Sequence, residues 1–204
     1  MPTPSRTSTA QIVAAGRVIL EAEGFERLTM QRVAAAVGVR APSLYKRVDG
    51  RRELVRLIAA DAAGDLSQAL EAAATTGDPQ RDLVRIATAF RAFARAHPEA
   101  YALLFRRLPE GWEPEISLDS PGFNTLFKTV EAISGTELRL EAARTVVAWA
   151  NGFVGMELAG AFHLGGDVDR AFAYGADRIA GAISERPRAA RRWAGCRPLP
   201  SSRP

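Results

Sequence analysis

The sequence predicts an all-α protein, and three observations carry that reading. Apolar residues recur at three- and four-residue steps along most of the 204 residues, the spacing that lines one face of a helix. The interruptions are helix punctuation: Gly77-Asp78-Pro79, His97-Pro98, Asp119-Ser120-Pro121 and Ser134-Gly135-Thr136 each pair a residue that ends one helix with a residue that begins the next. No segment shows the strict apolar–polar alternation of a half-buried strand. The expected architecture is an N-terminal head of three short helices, a long connecting helix, and a C-terminal helical bundle.

Residues 1–8 (MPTPSRTS) are rich in Pro, Ser and Thr and read as a disordered arm carrying Arg6. The first helix begins near Ser8 or Thr9, turns Ile12, Ala15, Ile19 and Ala22 inward, and ends at Gly24, with Phe25 folding back on it. Thr29 caps the second helix with its hydroxyl, and Met30, Val33, Ala34 and Val37 form its buried stripe. Gly38 ends it in the left-handed conformation open to glycine, and Val39 packs back on the preceding turn. Pro42 falls in the first turn of the third helix, where its missing N–H costs nothing, and Leu44 and Val48 form a narrow inner stripe. The remaining residues face outward: Arg40, Ser43, Tyr45, Lys46 and Arg47, with Arg51 and Arg52 close behind. Cations, a hydroxyl and an aromatic ring on the second helix of a helix-turn-helix suit phosphates and base edges.

Charge segregation supports a nucleic-acid head. Residues 1–60 hold ten Lys or Arg against five Asp or Glu, residues 61–184 hold eleven against seventeen, and residues 185–204 hold six against one, within a net charge of only +4. Basicity is thus confined to the two ends, as in a small head that meets DNA joined to a body that need not.

Gly38 to Leu54 (GVRAPSLYKRVDGRREL) resembles the recognition-helix segment of TetR-family transcriptional regulators, and the similarity extends back through GFERLTMQRVAAAVG (Gly24 to Gly38) to cover roughly residues 9–60. The resemblance implies that the helix before the turn braces the DNA backbone, that the next enters the major groove, and that Tyr45 touches phosphate. It places Arg40, Ser43, Lys46 and Arg47 near bases or phosphates, with Thr29, Tyr45 and Arg51 positioning the backbone. The chain departs from the family pattern at Arg47-Val48, where His-Phe is usual, at Arg51, where Lys is usual, and at Arg40, where a Ser or Thr cap is usual. The third departure gives up about 1 kcal/mol of capping. A weaker similarity links Phe93 to Phe105 to the branch of this family named for a Trp-His-Gly motif. Where that motif would fall the chain reads VVAWANGF (Val146 to Phe153), with Asn151 before Gly152 in place of His.

The fourth helix starts after Asp49-Gly50 and runs to about Ala74, with Leu54, Ile58, Ala62, Leu66 and Leu70 in line, long enough to join head and body. Further helices are expected at about 79–96, 98–107, 121–134, 137–163 and 168–183. The domain plan is an arm (1–8), a helix-turn-helix domain (9–54), a ligand-sensing and dimerisation domain (55–184) and a disordered basic tail (185–204). The last two long helices carry the expected homodimer interface, centred on Leu140, Val147, Val154, Leu158, Phe172 and Ile179. Ten of the fifteen aromatics lie between Phe90 and Phe162. Phe90, Phe93, Tyr101, Phe105, Trp112, Phe123, Phe127, Trp149, Asn151 and Phe153 are therefore the expected walls of an apolar effector cavity, with Arg91, Arg95 and Glu157 as further orienting groups and the segment Leu108 to Pro114 as a lid or wall.

An enzyme is not expected. The chain has two histidines, His97 and His163, one cysteine, no glycine-rich phosphate loop and no metal-ligand motif, so no catalytic residue, metal or cofactor is assigned. The single Cys196 cannot form an internal disulfide, no apolar run approaches the roughly 18 residues of a membrane span, and the expected location is cytoplasmic. The expected partners are an operator in double-stranded DNA, a small-molecule effector and a second copy of the chain, with no membrane. The competing reading is a helical ligand-binding or scaffold protein that does not bind DNA specifically.

Overall fold

The computed structural model describes residues 7–105, 110–112 and 120–184. Among these residues the chain forms helices α1 (Thr9–Glu23), α2 (Met30–Ala36), α3 (Ala41–Leu44), α4 (Gly50–Ala73), α5 (Pro79–Ala96), α6 (Pro98–Phe105), α7 (Pro121–Ser134), α8 (Arg139–Leu158) and α9 (Val168–Ala182), with 3₁₀ turns at Phe25–Arg27 and Thr136–Leu138 and no strand. The all-α expectation holds. Most of the expected arm, the basic tail with Cys196, and all of the Leu108 to Pro114 segment but Glu110, Gly111 and Trp112 lie outside the described residues.

Local chemistry accounts for the helix boundaries. The Ser8 hydroxyl accepts from the Gln11 N–H while Gln11 Oε1 accepts from the Ser8 N–H, a reciprocal cap that fixes the start of α1. Thr29 Oγ1 accepts from the Arg32 N–H to start α2, and Asp78 and Asp167 each take two first-turn N–H groups of α5 and α9. Gly38 sits at φ 72°, and the Val39 N–H reaches the Ala34 carbonyl at 2.9 Å, so the turn between α2 and α3 is closed by hydrogen bonds.

Helix α4 is the structural axis. Leu54, Val55, Ile58, Ala59, Ala62, Leu66 and Leu70 are all buried along it, each large aliphatic side chain worth roughly 1.5–3 kcal/mol of hydrophobic stabilisation. Its N-terminal half packs against α1, and further along it meets α5, α6 and α7. The α4–α7 crossing requires Gly122: its N–H donates to Ser67 Oγ at 2.8 Å, and a Cβ there would lie 2.3 Å from the Ser67 carbonyl oxygen. Any larger residue forces these helices apart.

Two expectations are corrected. The inner face of α1 is Ile12, Val13, Gly16, Ile19 and Leu20, while Ala15 is half-buried and Ala22 exposed, because the larger side chains claim the interior and alanine serves either face. Helix α8 stops at Leu158 instead of continuing to 163. Gly160 adopts φ 64°, and the N–H groups of Gly160 and Ala161 turn back onto the carbonyls of Glu157 and Met156.

Candidate functional site

The outer surface of α3 follows from what the segment buries. Leu44 and Val48 are 1% exposed, and the Val48 N–H bonds the Leu44 carbonyl, so the turn Tyr45–Arg47 is held on the head's core. Arg40, Ser43, Tyr45, Lys46 and Arg47 are left exposed together, with Tyr45 at 56%. Arg40 stands at the N-cap of α3 without a side-chain cap bond, in keeping with the missing Ser or Thr. Ser43, Lys46 and Arg47 also border a groove shared with Thr7, Ile12 and Val39.

Thr29 and Arg51 are built differently from the outward set. The Thr29 hydroxyl is engaged in capping α2. Arg51 Nε donates to the Leu28 carbonyl at 2.7 Å and one Nη to the Phe25 carbonyl at 2.6 Å, and the guanidinium lies 4.6 Å from the Phe25 ring centre. The structure therefore makes Arg51 a brace between α4 and the α1–α2 connection. Nothing local in the sequence signals this, since the two carbonyls are more than twenty residues away.

Within the body, Leu66, Leu70, Ile86, Ala87, Phe90, Phe105, Phe123, Leu126, Val146, Val147, Ala150 and Asn151 enclose a cavity of about 50 Å³ between α4, α5, α6, α7 and α8. Its lining is almost wholly apolar. The polar contact at its edge joins the Tyr101 hydroxyl, as donor, to Asn151 Oδ1 at 2.9 Å, while Asn151 Nδ2 donates to the Val147 carbonyl. Burial raises the Tyr101 pKa. Phe90, Tyr101 and Phe105 pack with ring centres 4.9–5.8 Å apart.

The expected cavity residues thus divide into groups. Phe90, Phe105, Phe123 and Asn151 line the cavity and Tyr101 adjoins it. Trp149 and Phe153 instead cluster with Phe172 between α8 and α9, Trp149 stacking on Phe172 at 5.2 Å. Phe93 packs on His97, Phe127 is half-buried against the core, and Trp112 lies against Phe25 at 6.3 Å, between body and head. Helical spacing gives the position of each ring along its helix but not the neighbour it meets.

Arg91, Arg95 and Glu157 are also absent from the cavity lining. The Arg91 guanidinium bonds both Glu157 oxygens at 2.6 and 2.7 Å and Asp169 at 2.7 Å, lies 4.8 Å from the Phe172 ring centre, and ties α5 to α8 and α9. Arg95 reaches Asp169 at 3.2 Å. The Glu157 hydrogen bonds, opposed by burial, raise the Arg91 pKa, and Arg91 holds Asp169 below the usual carboxylate range.

Of the residues expected at a dimer interface, Leu140, Val147 and Leu158 are exposed, at 47%, 37% and 39%. Val154 and Phe172 are buried within the subunit at 0% and 2% and do not belong to an outward face, while Ile179 is half-buried, packed against the core and still partly accessible. Leu140, Val147 and Leu158 share the exposed surface of α8 with Ala148, Gly152, Gly155 and Met156 and with the polar residues Glu141, Arg144 and Thr145, and Tyr174 is exposed on α9. Among the described residues no group of acidic, His or Cys side chains is placed to hold a metal ion, and no helix is long and apolar enough to cross a membrane.

A helix-turn-helix head with an exposed basic turn, carried on a helical body, is the architecture of a class of DNA-binding regulators. The chain belongs to the TetR family of these bacterial transcriptional regulators, which are not enzymes. Residues 12–58 match the family described as bacterial regulatory proteins, tetR family, and residues 83–179 match the family described as tetracyclin repressor-like, C-terminal domain. An uncharacterised HTH-type transcriptional regulator of Mycobacterium tuberculosis is 29% identical over 161 residues, covering 77% of this chain and 73% of that protein. A second HTH-type regulator, from Mycobacterium bovis, is 33% identical over 99 residues, 47% of this chain and 42% of its own. Among solved structures, a TetR variant from Acinetobacter baumannii in complex with minocycline matches with a TM-score of 0.64 at 19% identity, covering 87% of this chain and 96% of that one. A Rhodococcus protein of unknown function reaches 0.72 at 20% identity, covering 90% and 100%. At these identities the structural likeness speaks for the fold.

Proposed function

We propose that this chain is a homodimeric repressor that holds a palindromic operator and releases it when a small, mainly hydrophobic molecule enters the body. The observation that carries the reading is the outward set on α3, where Arg40, Ser43, Tyr45, Lys46 and Arg47 stand exposed around two side chains that bury completely. In this reading residues 9–54 bind DNA and residues 55–184 sense the effector and dimerise. Tyr45, Lys46 and Arg47 supply phosphate contacts, Arg40 and Ser43 add base or backbone contacts, and Thr29 and Arg51 hold the geometry of the head. The exposed face of α8, including Leu140, Val147 and Leu158 and the small residues Gly152 and Gly155, meets its copy and spaces the two heads.

The effector is an apolar molecule with one hydrogen-bonding group, which Asn151 and Tyr101 would meet. The cavity of about 50 Å³ has room for little more than water, whereas small-molecule pockets run to roughly 300–1,000 Å³. Binding therefore selects a widened body, and it weakens DNA binding by favouring dimers whose heads no longer match half-sites roughly 34 Å apart. Selecting bound sites from random duplex, with and without cell extract, tests this reading. A two-fold symmetric sequence that is lost when extract supplies the effector supports it, and no enriched sequence in either arm refutes it.

A further inference from the structure

A groove of about 520 Å³ runs between the start of α1 and the α3 turn, with Thr7 contributed by the first and Ser43, Lys46 and Arg47 by the second. Thr7 is 7% exposed, and its Oγ1 is buried with no hydrogen-bond partner among the described residues. A hydroxyl in that state costs the free protein stability, and the cost is relieved only when an acceptor arrives. The helix beside it adds a second attraction. The Ser8 hydroxyl and carbonyl take the N–H groups of Gln11 and Ile12, so those of Thr9 and Ala10 have no acceptor within α1. The first turn of this 15-residue helix carries no acidic residue to offset its positive end. In the body, by contrast, Glu53, Asp82, Glu99, Glu141 and Asp169 stand in the first turns of α4, α5, α6, α8 and α9.

We propose that this groove seats one backbone phosphate of each operator half-site and that Thr7 is a phosphate-binding residue, a proposal that rests on α3 binding DNA. One non-bridging oxygen accepts from the Thr7 hydroxyl and the other from the N–H groups of Thr9 and Ala10, while Lys46 and Arg47 supply positive charge. Thr7 stands before the Ser8 cap, so its side chain can turn toward the phosphate without disturbing the helix. Ile12, Val39 and Leu44 give the groove an apolar floor, and hydrogen bonds to a charged acceptor are stronger where water is scarce. A phosphate held there lies beside the residues that face the bases, so the contact fixes the register of α3 on the duplex. Unlike the cations, the Thr7 hydroxyl adds affinity without releasing a counterion.

Thr7→Val keeps the shape of the side chain and removes the hydroxyl, whereas Thr7→Ser keeps the hydroxyl. The free Thr7→Val protein should melt no lower than wild type, because it loses a buried donor that has no partner. Its affinity for the duplex selected by the wild-type protein should nevertheless fall about tenfold or more over two half-sites. The salt slope should not change, since no charge is removed, and Thr7→Ser should recover most of the loss. Methylphosphonate substitution, which neutralises one phosphate of each half-site at a time, then locates the seat. At one position wild type and Thr7→Val should bind alike, while at the others the loss persists. Equal binding of the two proteins to the unmodified duplex, or a Thr7→Val loss that persists at every position, overturns the proposal. Failure of the wild-type protein to select any duplex would instead refute the DNA-binding reading, and inorganic phosphate alone would then decide the seat. The Thr9 and Ala10 amide resonances should shift and saturate with phosphate in wild type and not in Thr7→Val, and no shift in wild type overturns the seat.

Discussion

The Tyr101 hydroxyl donates to Asn151 Oδ1 at 2.9 Å, joining α6 to α8 at the edge of a cavity whose lining is otherwise apolar. Tyr101 is 7% exposed, so water cannot replace a lost partner. Asn151→Ala should cost about 1–3 kcal/mol by leaving the hydroxyl unsatisfied. Tyr101→Phe combined with Asn151→Leu removes both partners and should cost less than Asn151→Ala alone. Urea midpoints at constant m-value make the comparison.

Arg51 should act on the head's stability, not on its salt-dependent attraction to DNA. Its planar fork serves two carbonyls at once and faces the Phe25 ring, geometry that lysine cannot reproduce. Arg51→Lys should cost about 1–3 kcal/mol and speed amide exchange in α2, while the slope of log affinity against log salt stays at the wild-type value. Because lysine keeps the positive charge, the charge test uses Arg51→Met, whose slope should also stay at the wild-type value; a slope reduced by nearly one unit per head would show that Arg51 neutralises phosphate after all.

Arg91 should behave as a buried ionic centre of the body. The Arg91 side chain is 9% exposed and that of Glu157 16%. Arg91→Met removes both short bonds to the largely buried Glu157 and leaves it only the long contact to Arg95 at 3.9 Å, so it should destabilise the fold by about 3 kcal/mol. Asp169 is mostly exposed and water can serve it, so Asp169→Asn should cost far less. Thermal unfolding of the two variants side by side gives the order.

Much of this architecture is legible because its signals are local. Ser8, Thr29, Asp78, Gly24 and Gly38 set helix ends through bonds to residues only a few positions away, and Leu44 and Val48 fix α3 through one i, i+4 pair. What could not be read depends on partners far along the chain. Glu21 meets α6 across 78 residues, and Arg91 reaches Glu157 across 66. Alanine and glycine blur the phase of α1, α8 and α9, because they fit an interior and a surface equally well. That is why Val154 and Phe172 read as interface residues, although the subunit buries them itself. The end of α8 at Leu158 was signalled by Gly160, but the apolar run through Phe162 masks it.

Acid should weaken the fold through its bonded carboxylates. Asp82 Oδ1 accepts from the Thr76 N–H at 2.9 Å and from the Thr76 hydroxyl at 2.8 Å, and these bonds hold its pKa below the ordinary value. Arg139 and Thr136 do the same for Glu131, and Arg91 for Asp169. A carboxyl depressed in the folded state contributes stability at pH values above its unfolded pKa of about 4, and loses it as pH falls through the lower folded value. The melting temperature should therefore show no loss from these groups down to about pH 5 and then fall. Asp82→Asn should be less stable than wild type at pH 7 and should show a shallower acid limb.

The central claim is that the outward surface of α3 binds DNA, and the salt dependence of binding tests it most directly. Fluorescence anisotropy with the selected duplex gives log affinity against log salt for the wild-type protein and for the double variant Lys46→Ala/Arg47→Ala. Each phosphate contact contributes nearly one unit of slope, and a dimer presents both side chains twice. The double variant should bind more weakly, with a slope smaller in magnitude by about two units or more. Unchanged affinity and unchanged slope would contradict the claim.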